Sequence, residues 1–271
     1  MLGISKQAIS QRRQYQQQLD VRLERLITQA ERLRRAHPGC GVEKMYDILK
    51  PDFIGRDRFI AIMMDAGFRL KAQRNYRRTT YAGKIRYPNL IKGIMVAAPC
   101  VVWQSDITYV TVDNQVYYAV FIIDVYSKKI VGYQLSRTLH ATANIKALTM
   151  ALSTSPAPSI HHSDRGTQYG CLKYIDLLKA RKMKISMCLK AQDNAYAERI
   201  NRTIKEEYLQ PWKACNYDQL KQQLDKAVFN YNNIRPHQHL KKLTPNAFEQ
   251  KWHTDPNFKK PRIRIFDDNN L

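Results

Sequence analysis

The chain has 271 residues, 44% of them hydrophobic, and its 45 Lys and Arg against 23 Asp and Glu give a formal net charge of +22. That length buries a full core and suits one domain of about 150 residues with smaller attachments, while the hydrophobic fraction excludes wholesale disorder. No apolar run reaches the roughly 18 residues of a membrane span, and the start MLGISKQAISQRRQ lacks the apolar middle of a signal peptide, so a soluble, cytoplasmic protein with no membrane partner is expected.

Residues 6–36 have a helical pattern, with Leu19, Leu23, Leu26, Ala30 and Leu33 forming an apolar seam at alternating steps of four and three. The seam is too short for a coiled coil and points to packing within a small domain, and HPGCG (37–41) ends it. Two shorter helices follow at 42–50 and 56–67, with Val42, Met45, Leu49 and Phe59, Ile60, Met63 as their inner faces. Helix, short turn and a second helix opening with Arg56 and Arg58 suggest a helix-turn-helix unit whose second helix enters a DNA groove.

Between Asp65 and Asp106 there is no acid, and Arg69, Lys71, Arg74, Arg77, Arg78, Lys84, Arg86 and Lys92 alternate with Tyr76, Tyr81 and Tyr87. Such a mixture suits the tracking of phosphates and stacking on bases, and the overall charge calls for a polyanionic partner. The expected organisation is a helical DNA-binding region at 1–68, a basic linker at 69–98, a main domain at 99–250 and a basic tail at 251–271.

From residue 100 the period changes. Three segments rich in Val, Ile, Tyr and Thr, ending at VTV, VYS and QLS, read as consecutive antiparallel strands. A helix is expected at 141–152 with Ala141, Ile145, Leu148 and Leu152 inward, then a short strand IHHSD, a helix CLKYIDLLKAR, a strand KISMC and a helix at 193–209. A meander followed by alternating helix and strand makes an α/β fold, a mixed sheet flanked by helices. The five cysteines show no C-x-x-C pair and are read as reduced thiols, and His161 and His162 lack the companions a metal site needs.

Three acids stand apart. Asp106 lies mid-strand on a face shared with Val102, Gln104, Thr108 and Val110, Asp164 ends a short strand before the turn RGTQYG, and Glu198 lies one turn into a helix that Asp193 can cap. An unpaired carboxylate inside a sheet is costly, and two strand acids with one helix acid could converge on a pair of cations. Such a pair suits chemistry on phosphodiesters, and Mg²⁺ favours hard oxygen ligands.

The words WQSDITYV, FIIDVYSKKIVGY, HHSDRGTQY, SMCLKAQDNAYAERINRTIKEE and YNNIRPHQHLKKLTPNAF, in this order, resemble the catalytic core of the insertion-sequence-3 family of bacterial transposases. That family belongs to the superfamily that includes retroviral integrases. The resemblance covers about 101–250 and implies a ribonuclease-H-like five-stranded fold, two Mg²⁺ ions with Mn²⁺ as a substitute, and cleavage and strand transfer at the ends of the element. Carried over, the catalytic and metal-binding acids are Asp106, Asp164 and Glu198, the basic residue seven positions after the glutamate is Lys205, and Arg202 assists it toward DNA. The interval between the last two acids is two residues shorter than usual, with the shortfall in CLKAQDN. Asp124 has a turn-capping role or one near the metals, and RPHQHL (235–240) is a structural connection.

The resemblance further implies double-stranded DNA as partner, both element end and target, a homo-oligomer on DNA, and in many relatives fusion to an upstream-frame product. Two rivals stay open: a DNA-binding regulator without chemistry, and a ribonuclease-H-type nuclease on RNA–DNA hybrids.

Overall fold

The computed structural model describes residues 6–70 and 85–265, and the chain divides into two compact units at residues 72 and 73. Arg74, Arg77 and Arg78, in the expected basic linker, lie outside the described residues.

In the first unit α1 (Lys6–Ala36), α2 (Val42–Leu49) and α3 (Arg56–Asp65) follow the expected pattern. Leu26 and Ala30 of the α1 seam pack with Val42, Met45, Phe59 and Met63 in one cluster, while Leu23, Leu33, Leu49 and Ile60 border it. Apolar residues at helical spacing thus meet from three helices, and the polar faces between them remain in water.

The second unit contains β1 (Met95–Val96), β2 (Val102–Val112), β3 (Gln115–Asp124), β4 (Ile130–Ser136), α4 (Ala141–Thr154), β5 (Ile160–Ser163), α5 (Leu172–Ala180) and β6 (Lys184–Met187). A 3-10 turn at Ala191–Asn194 leads into α6 (Ala195–Ile204), which passes through a π-helical turn at Lys205–Leu209 into α7 (Gln210–Trp212). The segment 193–209, expected as one α-helix, therefore changes its winding twice. After it come α8 (Tyr217–Asn233), α9 (Pro245–Thr254) and β7 (Ile263–Arg264).

The main sheet has five strands in the order β4-β3-β2-β5-β6, with antiparallel pairs among β2, β3 and β4 and parallel pairs from β2 to β5 to β6. This is the ribonuclease-H-like mixed sheet that the motifs imply. Strand alternation splits the core: Tyr117, Ala119, Phe121 and Ile123 of β3 pack toward α6 and α8, and Val120 and Ile122 toward α4 and α5. The segment from 251 onward holds the end of α9 and then β7, which pairs with β1, and Ile265 is buried against Val96 and Phe248.

One helix face differs from expectation. The buried residues of α4 include Ala143, Ala147, Leu148 and Ala151 rather than Ala141, Ile145 and Leu152. The reason is Gly132 in β4: an added Cβ there would run into the carbonyl of Ala147 and come within 2.9 Å of the Ala151 Cβ. A stripe of alanines lets the helix lie close on the sheet, and close approach outweighs the larger apolar surface of the neighbouring face.

Candidate active site

Within β2, Trp103 and Ile107 pack on the α4 side and Val110 and Val112 on the α6 side, so Gln104 and Asp106 share the face beneath α6. The parallel pairing of β2 with β5 aligns Ser105 with Ser163. Asp106, the next residue of β2, and Asp164, the first residue after β5, follow that pair, which explains why acids 58 positions apart come near the same level of the sheet. Asp164 accepts the N–H of Gly166 at 3.0 Å, the turn that RGTQYG was expected to make.

The third acid is supplied by α6. Ala197, Ile200, Asn201 and Ile204 are its buried residues, which leaves Glu198 and Arg202 on the exposed side. Asn201, one turn beyond Glu198, donates its amide to Oδ2 of Asp106 at 2.8 Å.

The acids respond to one another. Burial pushes the Asp106 carboxyl well above the usual range, and the charge of Asp164 and then that of Glu198 push it further, against hydrogen bonds from the Ile107 backbone and Asn201. Glu198 is raised by partial burial, lowered by the Arg202 guanidinium and raised again by Asp164. Three carboxylates, from β2, the residue after β5 and α6, therefore share one electrostatic neighbourhood.

Among the described residues, no three His, Cys, Asp or Glu side chains are gathered closely enough to hold a metal ion as they stand. The donor chemistry nevertheless fits a hard divalent cation: three carboxylates, and beside Asp106 a buried Oδ1 of Asn201 that has no hydrogen-bond partner.

The other expected site residues fall as follows. The Lys205 ammonium, half-buried, stands 4.2 Å from the centre of the Tyr109 ring, and burial lowers its pKa against the pull of Glu206. Arg56 pairs with Glu43 at 3.0 Å on the surface of the first unit, and Arg58 on the same helix is exposed. Asp193 does not cap α6: its carboxylate accepts the N–H groups of Leu189 at 2.7 Å and Lys190 at 3.0 Å and so closes the loop before the helix.

Asp124 proves to be a turn anchor. It accepts from the N–H of Cys100 at 2.6 Å, of Tyr126 at 3.0 Å and of Ser127 at 2.7 Å, and from the Ser127 hydroxyl at 3.0 Å, while burial pushes its carboxyl up to about 6. His161 and His162 are buried and structural: His161 Nε2 lies 2.7 Å from the Tyr174 hydroxyl, and His162 sits between Ser186 Oγ and Cys188 Sγ. Within RPHQHL, Arg235 makes two 2.7 Å bonds to Glu207, which the π-helical turn carries inward.

Sequence reasoning missed Gln104, Asn194 and Asn201, three buried amides around the acids. Two signals were present: Gln104 shares the strand parity of Asp106, and Asn201 lies three residues after Glu198.

Comparison with known proteins agrees with this architecture. The family described as Integrase core domain matches residues 97–192, and a second family of the same description matches residues 181–245. The chain is 34% identical over 208 residues to the Insertion element IS600 uncharacterized 31 kDa protein of Shigella sonnei, covering 74% of this chain and 76% of the relative. It is 31% identical over 197 residues to the Transposase InsF for insertion sequence IS3A of Escherichia coli K12, covering 68% and 67%. In fold it is similar to a chain of the simian T-cell lymphotropic virus intasome in complex with PP2A regulatory subunit B56 gamma, at 18% identity and TM-score 0.52, over 85% of this chain and 76% of that one. With the ordered motifs, the sheet and these relatives in agreement, the chain belongs to the insertion-sequence-3 family of transposases, within the integrase superfamily.

Proposed function

We propose that this chain cleaves DNA strands at the ends of its insertion sequence and joins the released 3′-hydroxyl ends to target DNA, with Asp106, Asp164 and Glu198 as the catalytic acids. The observation that supports this reading is the β2–β5 register that aligns Ser105 with Ser163, next to Asp106 and Asp164, together with the Asn201–Asp106 bond that ties the helix of Glu198 to the same strand. In the first step water attacks a phosphodiester and releases a 3′-hydroxyl; in the second that hydroxyl attacks a target phosphodiester. Each step forms one P–O bond and breaks one, and no covalent protein intermediate is required.

Asp106, Asp164 and Glu198 would hold two Mg²⁺ ions, or Mn²⁺ in their place. When bound, these cations lower the pKa of the attacking hydroxyl and stabilise charge on the phosphorus oxygens. The chain's own contribution to this reading is placement: the pairing of β2 with β5 supports a common level for Asp106 and the residue that follows β5, Asp164, and the Asn201–Asp106 bond ties the helix that carries Glu198 to β2. Arg202, exposed beside Glu198, and Lys205, above Tyr109, are the cations positioned to meet a DNA strand at the acids. Arg56 and Arg58 of α3, with Arg74, Arg77 and Arg78, supply further phosphate contacts.

The working form is a homo-oligomer on DNA, because two element ends have to be joined to one target, and an upstream-frame product fused to this chain is one form of it. Labelled duplexes carrying the element ends test the reading, with binding and Mg²⁺-dependent cleavage and joining scored together for the wild type and Asp106→Asn. Binding by both proteins and chemistry by the wild type alone is expected. Binding without chemistry by either protein, including the fused form, would make the chain a DNA-binding regulator.

A further inference from the structure

Gln104 is fully buried in the middle of β2, at 0% exposure, where an unsatisfied amide would be costly. Both ends of its side chain are used, and at a single place. Nε2 donates to the carbonyl of Asp193 at 3.2 Å, and Oε1 accepts the N–H of Ala197 at 3.3 Å. These two backbone groups flank the start of α6. The first N–H groups of a helix have no partner within it and call for a cap. Asn194, at the N-cap position, makes no cap bond; its amide turns to the carbonyl of Ser105 at 3.0 Å instead. The cap of α6 is thus supplied from the strand.

Successive residues of β2 therefore grip successive points of the helix. Gln104 holds 193 and 197, Ser105 holds Asn194, and Asp106 receives Asn201. Glu198 stands between the gripped positions 197 and 201, and its place relative to Asp106 is set by these bonds. The loop before the helix is closed by Asp193 on Leu189 and Lys190 and feeds directly into this junction.

We infer that Gln104 is a positioning residue for the strand-transfer site: it caps α6 from β2 and, with the Asn194–Ser105 bond, fixes the helix that carries Glu198 against the strand that carries Asp106. The inference rests on the proposed role of the three acids and adds to it the device that sets the third acid's position. Neither amide touches the reacting atoms in this account. A displacement of 1 Å at a reacting centre costs about 100-fold in rate, so losing this grip shows in chemistry before it shows in DNA binding.

The test uses the full chain on an element-end duplex and compares wild type with Gln104→Met, which keeps length and removes both bonds. Three quantities are read: amide hydrogen exchange at 195–200, Mn²⁺ affinity from the electron paramagnetic resonance of free Mn²⁺, and single-turnover cleavage at saturating DNA. Exchange at 195–200 is expected to quicken and Mn²⁺ affinity to fall, with cleavage lowered about 10-fold to 100-fold and DNA affinity kept near the wild-type value. Wild-type exchange and wild-type Mn²⁺ affinity in Gln104→Met would overturn the inference. Should that variant fail to fold, Asn194→Ala, which removes the Ser105 bond, is read in the same three ways. If the wild type shows no cleavage, the proposed reaction fails by itself, and exchange and Mn²⁺ affinity still decide the role of Gln104.

Discussion

The amide of Asn201 donates to Asp106 across 2.8 Å and ties the helix that carries Glu198 to the strand that carries the first acid. This bond also favours the charged form of Asp106 against the burial and like charges that oppose it. Asn201→Ala removes that support, and a hydrogen bond to a charged group contributes about 1.5–3 kcal/mol. Cleavage is expected to fall by one to two orders of magnitude with folding retained. Single-turnover rates beside a thermal melt check both parts.

The Glu207 and Arg235 side chains, 18% and 12% exposed, form a bidentate pair at the π-helical turn that follows the helix of Glu198. Breaking a sheltered pair from one side leaves the other charge uncompensated, at a cost of about 3–5 kcal/mol. Arg235→Met is expected to lower the denaturation midpoint strongly, and Arg235→Met with Glu207→Met to recover much of the loss. A double variant no more stable than the single one would contradict this.

At Gly132 an added methyl meets the backbone of Ala147 and the side chain of Ala151. Overpacking of this kind costs about 1–3 kcal/mol. Gly132→Ala should be destabilised by that amount in urea denaturation, whereas Ala at Ile145, on the half-buried side of α4, should cost less.

Burial holds His161 down to about 3 and His162 down to about 4, so both rings are neutral in the fold at pH values where the unfolded chain, with an ordinary value near 6.5, takes up protons. Between about pH 6.5 and 4 the unfolded state binds more protons than the native one, so stability is full above that window and falls as pH falls through it. Each histidine contributes a slope of up to about 1.4 kcal/mol per pH unit. Replacing His161 by Gln should make the acid limb of a stability–pH curve shallower; an unchanged limb would contradict a buried neutral ring.

Lys205 rests on Tyr109 and makes no ion pair to a carboxylate among those described. If it meets a phosphate when DNA arrives, Lys205→Ala should reduce the slope of log K against log salt by about 0.9 on duplex ends. Arg56→Ala, removing a surface cation paired with Glu43, should act on binding alone and leave cleavage at saturating DNA unchanged.

Much of this was legible in the sequence because it rests on short-range pattern. Alternation in 102–136 specifies the meander, and parity puts Asp106 on the face of Val110. What was not legible depends on contacts between distant segments. The inward face of α4 is chosen by Gly132 on another strand, against the larger apolar residues of the helix itself. Asp193 looks like a helix cap by position, yet the cap comes from Gln104, 89 residues earlier, and frees Asp193 to close its loop. The inward turn of Glu207 likewise needs the π-helical winding and the distant Arg235.

The proposed cation-binding centre of Asp106, Asp164 and Glu198 is read out by Mn²⁺ binding to the DNA complex. Free Mn²⁺ is followed by electron paramagnetic resonance as it is added to the end-duplex complexes of wild type, Asp106→Asn, Asp164→Asn and Glu198→Gln. Saturable binding by the wild type and weakened binding in each of the three variants, with DNA affinity retained, is expected. Wild-type Mn²⁺ binding in all three variants would contradict it.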